Sequence, residues 1–347
     1  MLARGMKSLR SVAARALRGL PRESGAPQDQ EEQDQFRARF FADVPVDLEE
    51  LGWIQAHKLP ESGPLPWLDR PGFETVIDDR LDDGSLSGEQ ARLCRQFADS
   101  GFLILEGFFD DAQIDRVWRA YEEAVTEARI EPAPEQKGAD DPHPGHVMNA
   151  HLAVPEMYEL FAAPELLNTL EMLLGREPVP FQTLMFPKGR EQLEHSDTIH
   201  MTTYPIGYMA AAWIACEDIH PDSGPLMYYP GSHRLPHYFS NDVGIAVEEF
   251  HDHLYGVVAE RYEPFIQRVV AEEKLDRQIF CPRKGDVLIW HENLIHGGSA
   301  RNDLRHSRQS LVCHYFARGA LCYHDLSGKI ADRIDDWVKP PRPTAVV

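Results

Sequence analysis

The sequence predicts a mainly β fold, a sandwich or barrel, with flanking helices. Two observations point there. After residue 178, short aliphatic and aromatic runs alternate with Gly, Pro, Asp and Ser punctuation, the pattern of many short strands joined by turns. Before it, residues 87–175 carry apolar side chains at helical spacing. A hydrophobic content of 43% over 347 residues suffices for one large core or two smaller ones. No apolar run approaches the roughly 18 residues of a membrane span.

In chain order, residues 1–22 stand apart. They carry Arg4, Lys7, Arg10, Arg15, Arg18 and Arg22 and no acid, in a chain whose formal charge is −21. On a helix, Leu2, Met6, Leu9, Val12, Ala13, Ala16, Leu17 and Leu20 share one face and the basic residues the other. That pattern suits a membrane-surface helix, a targeting segment or a solvated tail. Residues 23–37 are polar and Gln/Glu-rich, as a disordered linker would be. The expected organisation is a basic segment and linker over 1–38, a catalytic domain over 39–325 and a Pro-rich tail over 326–347. Within the domain, a helical part over about 87–175 precedes a β core over about 178–320.

Ser87 is placed to cap a helix running through about Asp99, with Leu93 and Phe97 on its apolar face and Gly101 ending it. The run 102–105 (FLIL) reads as a short buried strand. Asp110 or Asp111 then caps a helix with Ile114, Val117, Tyr121 and Val125 on one face. Residues 155–175 read as a further helix ending at Gly175. The strand candidates are 181–186, 207–216, 225–229, 285–291 and 308–316. A charged, helix-like stretch at 245–275 interrupts them and is expected to lie outside the sheets. The five cysteines are odd in number and widely spaced, with no CxxC. This points to free buried thiols in a reducing cytosol rather than disulfides or structural zinc. The acidic balance argues against nucleic-acid binding, which depends on neutralising phosphates.

The chemistry is concentrated late in the chain. His195 and Asp197 are two residues apart, and on a strand they would share a face and reach one metal ion. Two histidines and one carboxylate, with open positions opposite, suit iron(II) and dioxygen. An HxD pair alone is weak among 16 histidines, and a second one, His220-Pro221-Asp222, lies in a loop-like segment. The segment 285–299 adds a strand, a turn and His296 followed by two glycines, which let backbone crowd close to a bound group. Arg308 lies twelve residues beyond His296, where a guanidinium can grip a carboxylate through two parallel hydrogen bonds. Ser310 shares its face and can add a hydroxyl. His291 is a rival for the third ligand, and His233 a weaker one. His200, His220, His251, His253, His306, His314 and His324 read as surface or hydrogen-bonded residues.

These residues resemble the phytanoyl-CoA dioxygenase (PhyH-like) family over roughly 88–325. The most specific stretch is 195–234, HSDTIHMTTYPIGYMAAAWIACEDIHPDSGPLMYYPGSHR. The resemblance implies a double-stranded β-helix core (jelly roll, cupin-like). It implies a metal site of His195, Asp197 and His296, with Arg308 gripping 2-oxoglutarate and Trp213 lining its site. The expected cofactors are Fe(II), 2-oxoglutarate and O2. The expected reaction is hydroxylation of an unactivated C–H bond in a small organic substrate, releasing succinate and CO2. The alternative is a metal-dependent jelly-roll isomerase or hydrolase that does not use 2-oxoglutarate. A halogenase is disfavoured because Asp197 fills the position a halide would need. The chain departs from the family pattern in HGGS, one glycine longer than the commoner HGS, which makes Arg305 a minor rival to Arg308. The stretch 245–275 follows no family pattern. A cytoplasmic protein is expected, with weak membrane-surface association if residues 1–22 act as a surface helix.

Overall fold

The computed structural model describes residues 54–59, 63–133, 141–253 and 255–330. The basic segment over 1–22, the linker and residues 331–347 lie outside the described residues. Among those described, no helix is long and apolar enough to cross a membrane.

Twelve strands are described: β1 (Phe102–Leu105), β2 (Val147–Met148), β3 (Pro178–Phe186), β4 (Thr202–Tyr204), β5 (Met209–Ala215), β6 (Leu226–Tyr228), β7 (Gln278–Phe280), β8 (Val287–His291), β9 (His296–Gly298), β10 (Ser310–Ala317), β11 (Leu321–His324) and β12 (Lys329–Ile330). They form a six-stranded sheet in the order β1-β8-β5-β10-β3-β2 and two three-stranded sheets, β7-β6-β9 and β12-β11-β4. Every pairing is antiparallel. This is the expected jelly-roll core.

Strand periodicity divides the large sheet into two faces. Leu311, Cys313, Tyr315 and Ala317 of β10 point into a core shared with the helices. Val312 points the other way, into the roll, where it joins Trp213, Leu288, Trp290 and Phe186. The inward residues align across strands. Val312 is level with Leu184 and Trp213, and Trp213 with Leu288. His314 is level with Gln182 and Ala211, and Ala211 with Trp290.

The helices follow their sequence signals closely. α1 (Phe73–Asp82) lies ahead of the expected helical part, which therefore begins near 73 rather than 87. α2 (Gly88–Ser100) is capped by Ser87 in a reciprocal box with Gln90 and ends at Gly101 with φ 77°. There the His233 ring fills the space a Cβ would need, so glycine is required twice over. α3 (Asp111–Thr126) is capped by Asp110 and buries Ile114, Val117 and Tyr121. The expected single helix over 155–175 is broken. A short turn at Pro155–Met157 and a four-residue helix precede α4 (Pro164–Leu174), because Pro164 can start a helix but not continue one.

Two further expectations need correction, and a third is refined. The β core runs past 320, since β11 and β12 add a hairpin that extends to 330. Cys281 is exposed, while the other four cysteines are buried, and none of the five is in a disulfide. The stretch 245–275 is helical and lies outside the sheets, as expected, but it is packed into the protein rather than peripheral. Phe250, Val257, Val258, Tyr262, Ile266 and Val269 bury against Ile199, Tyr229, Ile295 and Leu326. Its charges are the solvent face of an amphipathic layer.

Candidate functional site

His195 and His296 face each other as an isolated antiparallel bridge, with amide-to-carbonyl bonds of 2.9 and 2.8 Å in the two directions. Their rings lie 4.4 Å apart between centroids. Each ring turns its Nδ1 to the carbonyl two residues earlier, His195 to Leu193 and His296 to Leu294, both at 2.9 Å. A carbonyl only accepts, so Nδ1 carries the proton and Nε2 keeps its lone pair, which is the form that binds a metal.

The HxD pair does not sit on a strand as expected. His195 makes only the bridge, Ser196 is extended (φ −106°, ψ 156°), and Asp197 opens a 3-10 turn over Asp197–Ile199. The one extended residue still returns Asp197 to the side of His195. Asp197 Oδ1 lies 3.7 Å from His296 Nε2. One donor atom from each of His195, Asp197 and His296 falls within 4.8 Å of the others, and all three residues are buried. No other such group of histidines, cysteines and carboxylates occurs among the described residues.

Electrostatics favours the same reading. Burial holds His195 well below its ordinary value, with His296 and His200 adding to it, so the ring is neutral near pH 7. Burial pushes the Asp197 carboxyl up. The His296, His314 and His195 rings and the Trp290 N–H outweigh this and leave it below the usual carboxylate value. Trp290 Nε1 donates to Asp197 Oδ2 at 2.7 Å, which leaves Oδ1 turned toward the histidines.

The other end of the site is carried by β10. Arg308 precedes the strand, and its amide bonds to the Pro187 carbonyl. The guanidinium is buried, with Nη1 on the Gly224 carbonyl at 3.0 Å and the Phe186 ring 5.7 Å from Cζ. Its Nε and the buried Ser310 hydroxyl have no hydrogen-bond partner. Of the cations in this region, Arg301 and Lys188 both pair with Asp141. Burial, with Arg301 and Arg190 nearby, lowers Arg308 to about 10, so it remains a cation near pH 7. A buried guanidinium and hydroxyl with unused donors fit the far carboxylate of a 2-oxo diacid, because leaving them unpaired is costly. Arg305, the minor rival, is exposed and paired with Asp303.

The remaining candidates separate cleanly. Trp213 is buried on the inner face of β5, edge-on to Phe280 at 5.7 Å. His291 follows Trp290 and therefore points out of the roll, where its Nε2 lies 3.2 Å from Asp69. His233 bonds to the Ala98 carbonyl, away from the site. His220 stacks on His306 at 3.7 Å in an exposed loop. The two glycines after His296 do admit close backbone, though not toward a ligand. A Cβ at Gly298 would strike the Arg190 carbonyl, and one at Gly297 the Gln192 carbonyl at 2.8 Å.

The phytanoyl-CoA dioxygenase (PhyH) family model matches residues 97–309, more than half of the chain. The chain belongs to that family. It is a non-haem iron, 2-oxoglutarate-dependent oxygenase acting on a small molecule. Among its relatives, human peroxisomal phytanoyl-CoA dioxygenase is 25% identical over 283 residues, 74% of this chain and 76% of the human protein. The bovine protein is 26% identical over 335 residues, 87% and 90% of the two chains. Two solved structures share the fold. The alpha-ketoglutarate-dependent carbocyclase SnoK from nogalamycin biosynthesis has a TM-score of 0.52 at 18% identity, covering 76% of this chain and 90% of SnoK. EctD from S. alaskensis, solved with 2-oxoglutarate and 5-hydroxyectoine, has a TM-score of 0.52 at 20% identity, covering 67% and 76%.

Within this PhyH-family site, sequence reasoning missed three residues. Trp290 was visible only as strand filler, although its parity with Leu288 already turned it inward. His314 lies level with Trp290 across β5, is buried, and brings Nε2 to 3.8 Å from Asp197 Oδ2. Its Nδ1 has no hydrogen-bond partner. The alternation Arg308, Ser310, Val312, His314 was the signal that could have found it. His200 is half-buried and edge-on to His195, 5.6 Å between centroids, and desolvation of its ring lowers it to about 4. No periodicity marks it, because it sits in the turn after Asp197.

Proposed function

We propose that this PhyH-family oxygenase hydroxylates an unactivated C–H bond of a small organic substrate. His195, Asp197 and His296 would hold the iron. Arg308 and Ser310 would grip the far carboxylate of 2-oxoglutarate, with Trp213 in the wall behind it. The observation that carries this reading is the unused pair of donors, Arg308 Nε and Ser310 Oγ, buried in the same roll as the His-Asp-His group.

Held by His195, Asp197 and His296, iron would supply dioxygen activation, and Arg308 and Ser310 would hold the keto acid's far carboxylate. The protein's own part is orientation and exclusion of water. Neutral His195 presents Nε2 because Leu193 holds its other nitrogen. Trp290 fixes the Asp197 carboxylate so that one oxygen is offered and the other is occupied. In the overall balance, substrate C–H, O2 and 2-oxoglutarate give C–OH, succinate and CO2. One oxygen atom enters the alcohol and the other the new succinate carboxylate. With Asp197 among the residues that would hold the iron, a halide would find no place on that side, which favours hydroxylation over chlorination. A jelly-roll isomerase or hydrolase would leave the Arg308 and Ser310 donors without an occupant.

The test is incubation of iron-loaded protein with 2-oxoglutarate, 18O2 and a panel of small organic acids, esters and amines. Substrate-stimulated succinate release, with one 18O in the product, is the expected result. Succinate release with a product of unchanged composition would mean epimerisation, and no succinate under any condition would exclude 2-oxoglutarate as cosubstrate. We further propose a cytoplasmic protein in which residues 1–22 attach weakly to anionic membranes, each basic residue adding about 1 kcal/mol. Deleting them should abolish salt-sensitive vesicle binding and leave turnover intact, and equal binding by both forms would refute the attachment.

A further inference from the structure

Tyr262 is fully buried, and its phenolic oxygen lies 3.0 Å from Ser196 Oγ. Ser196 stands between two of the three candidate ligands, and no strand holds it. The residue before His195 is held from the same direction. Gln267 Nε2 donates to Glu194 Oε2 at 3.0 Å, and the Tyr229 hydroxyl to Glu194 Oε1 at 2.8 Å. The segment 194–196 is thus tied by the side chains of Tyr262 and Gln267 to the helical stretch over 247–272.

The local backbone explains how Tyr262 gets there. Residues Val258–Tyr262 form a π turn, followed directly by a helix over Glu263–Glu272 with Pro264 in its first turn. Proline cannot donate the amide bond that would close a regular turn behind it, so the turn widens. The widened turn rotates Tyr262 onto the ligand segment, while Ile266 and Val269 fix the helix below it. A fully buried phenol whose polar contacts are all to Ser196, its hydroxyl and its backbone, is a costly arrangement unless those bonds are kept.

We propose that Tyr262 is a positioning residue for the metal site, setting the Ser196 backbone so that His195 and Asp197 converge on one ion. The proposal rests on His195, Asp197 and His296 being the ligands. The helical stretch over 247–272 then belongs to the metal site's support rather than to its periphery.

The test measures Mn(II) affinity of the full chain by calorimetry without 2-oxoglutarate, for Tyr262→Phe, Ser196→Ala, the double variant and His296→Ala. Thermal unfolding is followed in parallel. Outer partners of metal ligands typically contribute 10- to 100-fold to affinity, so each single variant should bind about tenfold more weakly. The double variant should lose no more than Tyr262→Phe alone, because that substitution already removes every bond between the two residues. Ser196→Ala leaves no buried phenol cavity, so it keeps the test open if Tyr262→Phe folds poorly. Wild-type affinity in a folded Tyr262→Phe or Ser196→Ala chain would overturn the proposal, as would additive losses in the double variant. A lowered melting temperature with unchanged affinity would show a merely structural tyrosine and also overturn it. If His296→Ala binds Mn(II) as well as wild type, the ligand set itself is wrong.

Discussion

The two ends of the candidate site are built by different means. Arg308, Ser310 and His314 ride on or beside β10, which is paired on one side with β5 and on the other with β3. Backbone ladders on both sides fix where each of those side chains points. His195, Ser196 and Asp197 have one bridge, one extended residue and the start of a turn. Their geometry depends on side chains from afar: Trp290 on Asp197, Tyr262 on Ser196, Gln267 and Tyr229 on Glu194. A carboxylate clamp can be rigid from the start. A ligand segment held by a few long-range bonds is sensitive to each of them, and losses should therefore differ in kind between the two ends.

The largest effect should come from the ligands. Replacing Asp197 or His296 by Ala removes a lone pair that neighbouring protein cannot replace, and iron-dependent turnover should vanish. Mn(II) titration checks this. Near-normal turnover in His296→Ala, with loss in His291→Ala, would exchange the third ligand and undo the contrast. At the clamp end, Arg308→Ala removes a buried charge-assisted partner, a loss of about 2–5 kcal/mol. The apparent constant for 2-oxoglutarate should rise roughly 30-fold or more, at about 1.4 kcal/mol per tenfold, while Mn(II) affinity stays put. A parallel fall in metal affinity would show that the two ends are not separable. Trp290→Phe lies between them, since it belongs to the ladder but bonds to the loose segment. It should weaken Mn(II) binding about tenfold, with little change in the 2-oxoglutarate constant; unchanged metal affinity would mean that the ladder lends the ligand segment no support.

The same contrast explains what could be read in the sequence. Strand parity placed the proposed clamp residues Arg308 and Ser310 on one face of the β10 segment; the same count would have added His314, which in the sequence reads only as a surface or hydrogen-bonded histidine. The helix ends were legible because Ser87, Asp110 and Gly101 act through local geometry. The proposed ligand set came from residue chemistry and family resemblance, and its three residues do lie together, although the strand geometry assigned to His195 and Asp197 was not what forms. Tyr262 was not legible at all. It lies 66 residues from Ser196, and nothing local in a charged helical stretch marks one tyrosine as inward-facing toward a ligand loop. Long-range side-chain ties leave no periodic trace, so the end of the site that depends on them was the end least visible.

The smallest effect falls behind the ladder, away from the ligands, and bears on stability alone. His151 is 1% exposed, its Nδ1 is 2.7 Å from the Thr183 hydroxyl of β3, and its ring lies against Tyr158 and Phe161. Burial lowers it from 6.5 to about 4. The unfolded chain therefore takes up a proton at this residue below about pH 6.5, whereas the folded chain does so only near pH 4. As pH falls through that window the unfolded state gains, and folding stability drops; above it His151 is neutral in both states and contributes no pH dependence. At 1.36 kcal/mol per pH unit, lowering the pH from 7.5 to 5 should cost about 1–2 kcal/mol through this residue. His151→Gln cannot titrate, so its urea-unfolding free energy should fall by that much less than wild type over the same interval. The metal ligands and the other buried histidines are common to both proteins and cancel in the difference. Parallel pH profiles would mean that His151 is hydrated or protonated in the folded state, and that the helix-facing side of β3 is looser than the ladder behind the clamp requires.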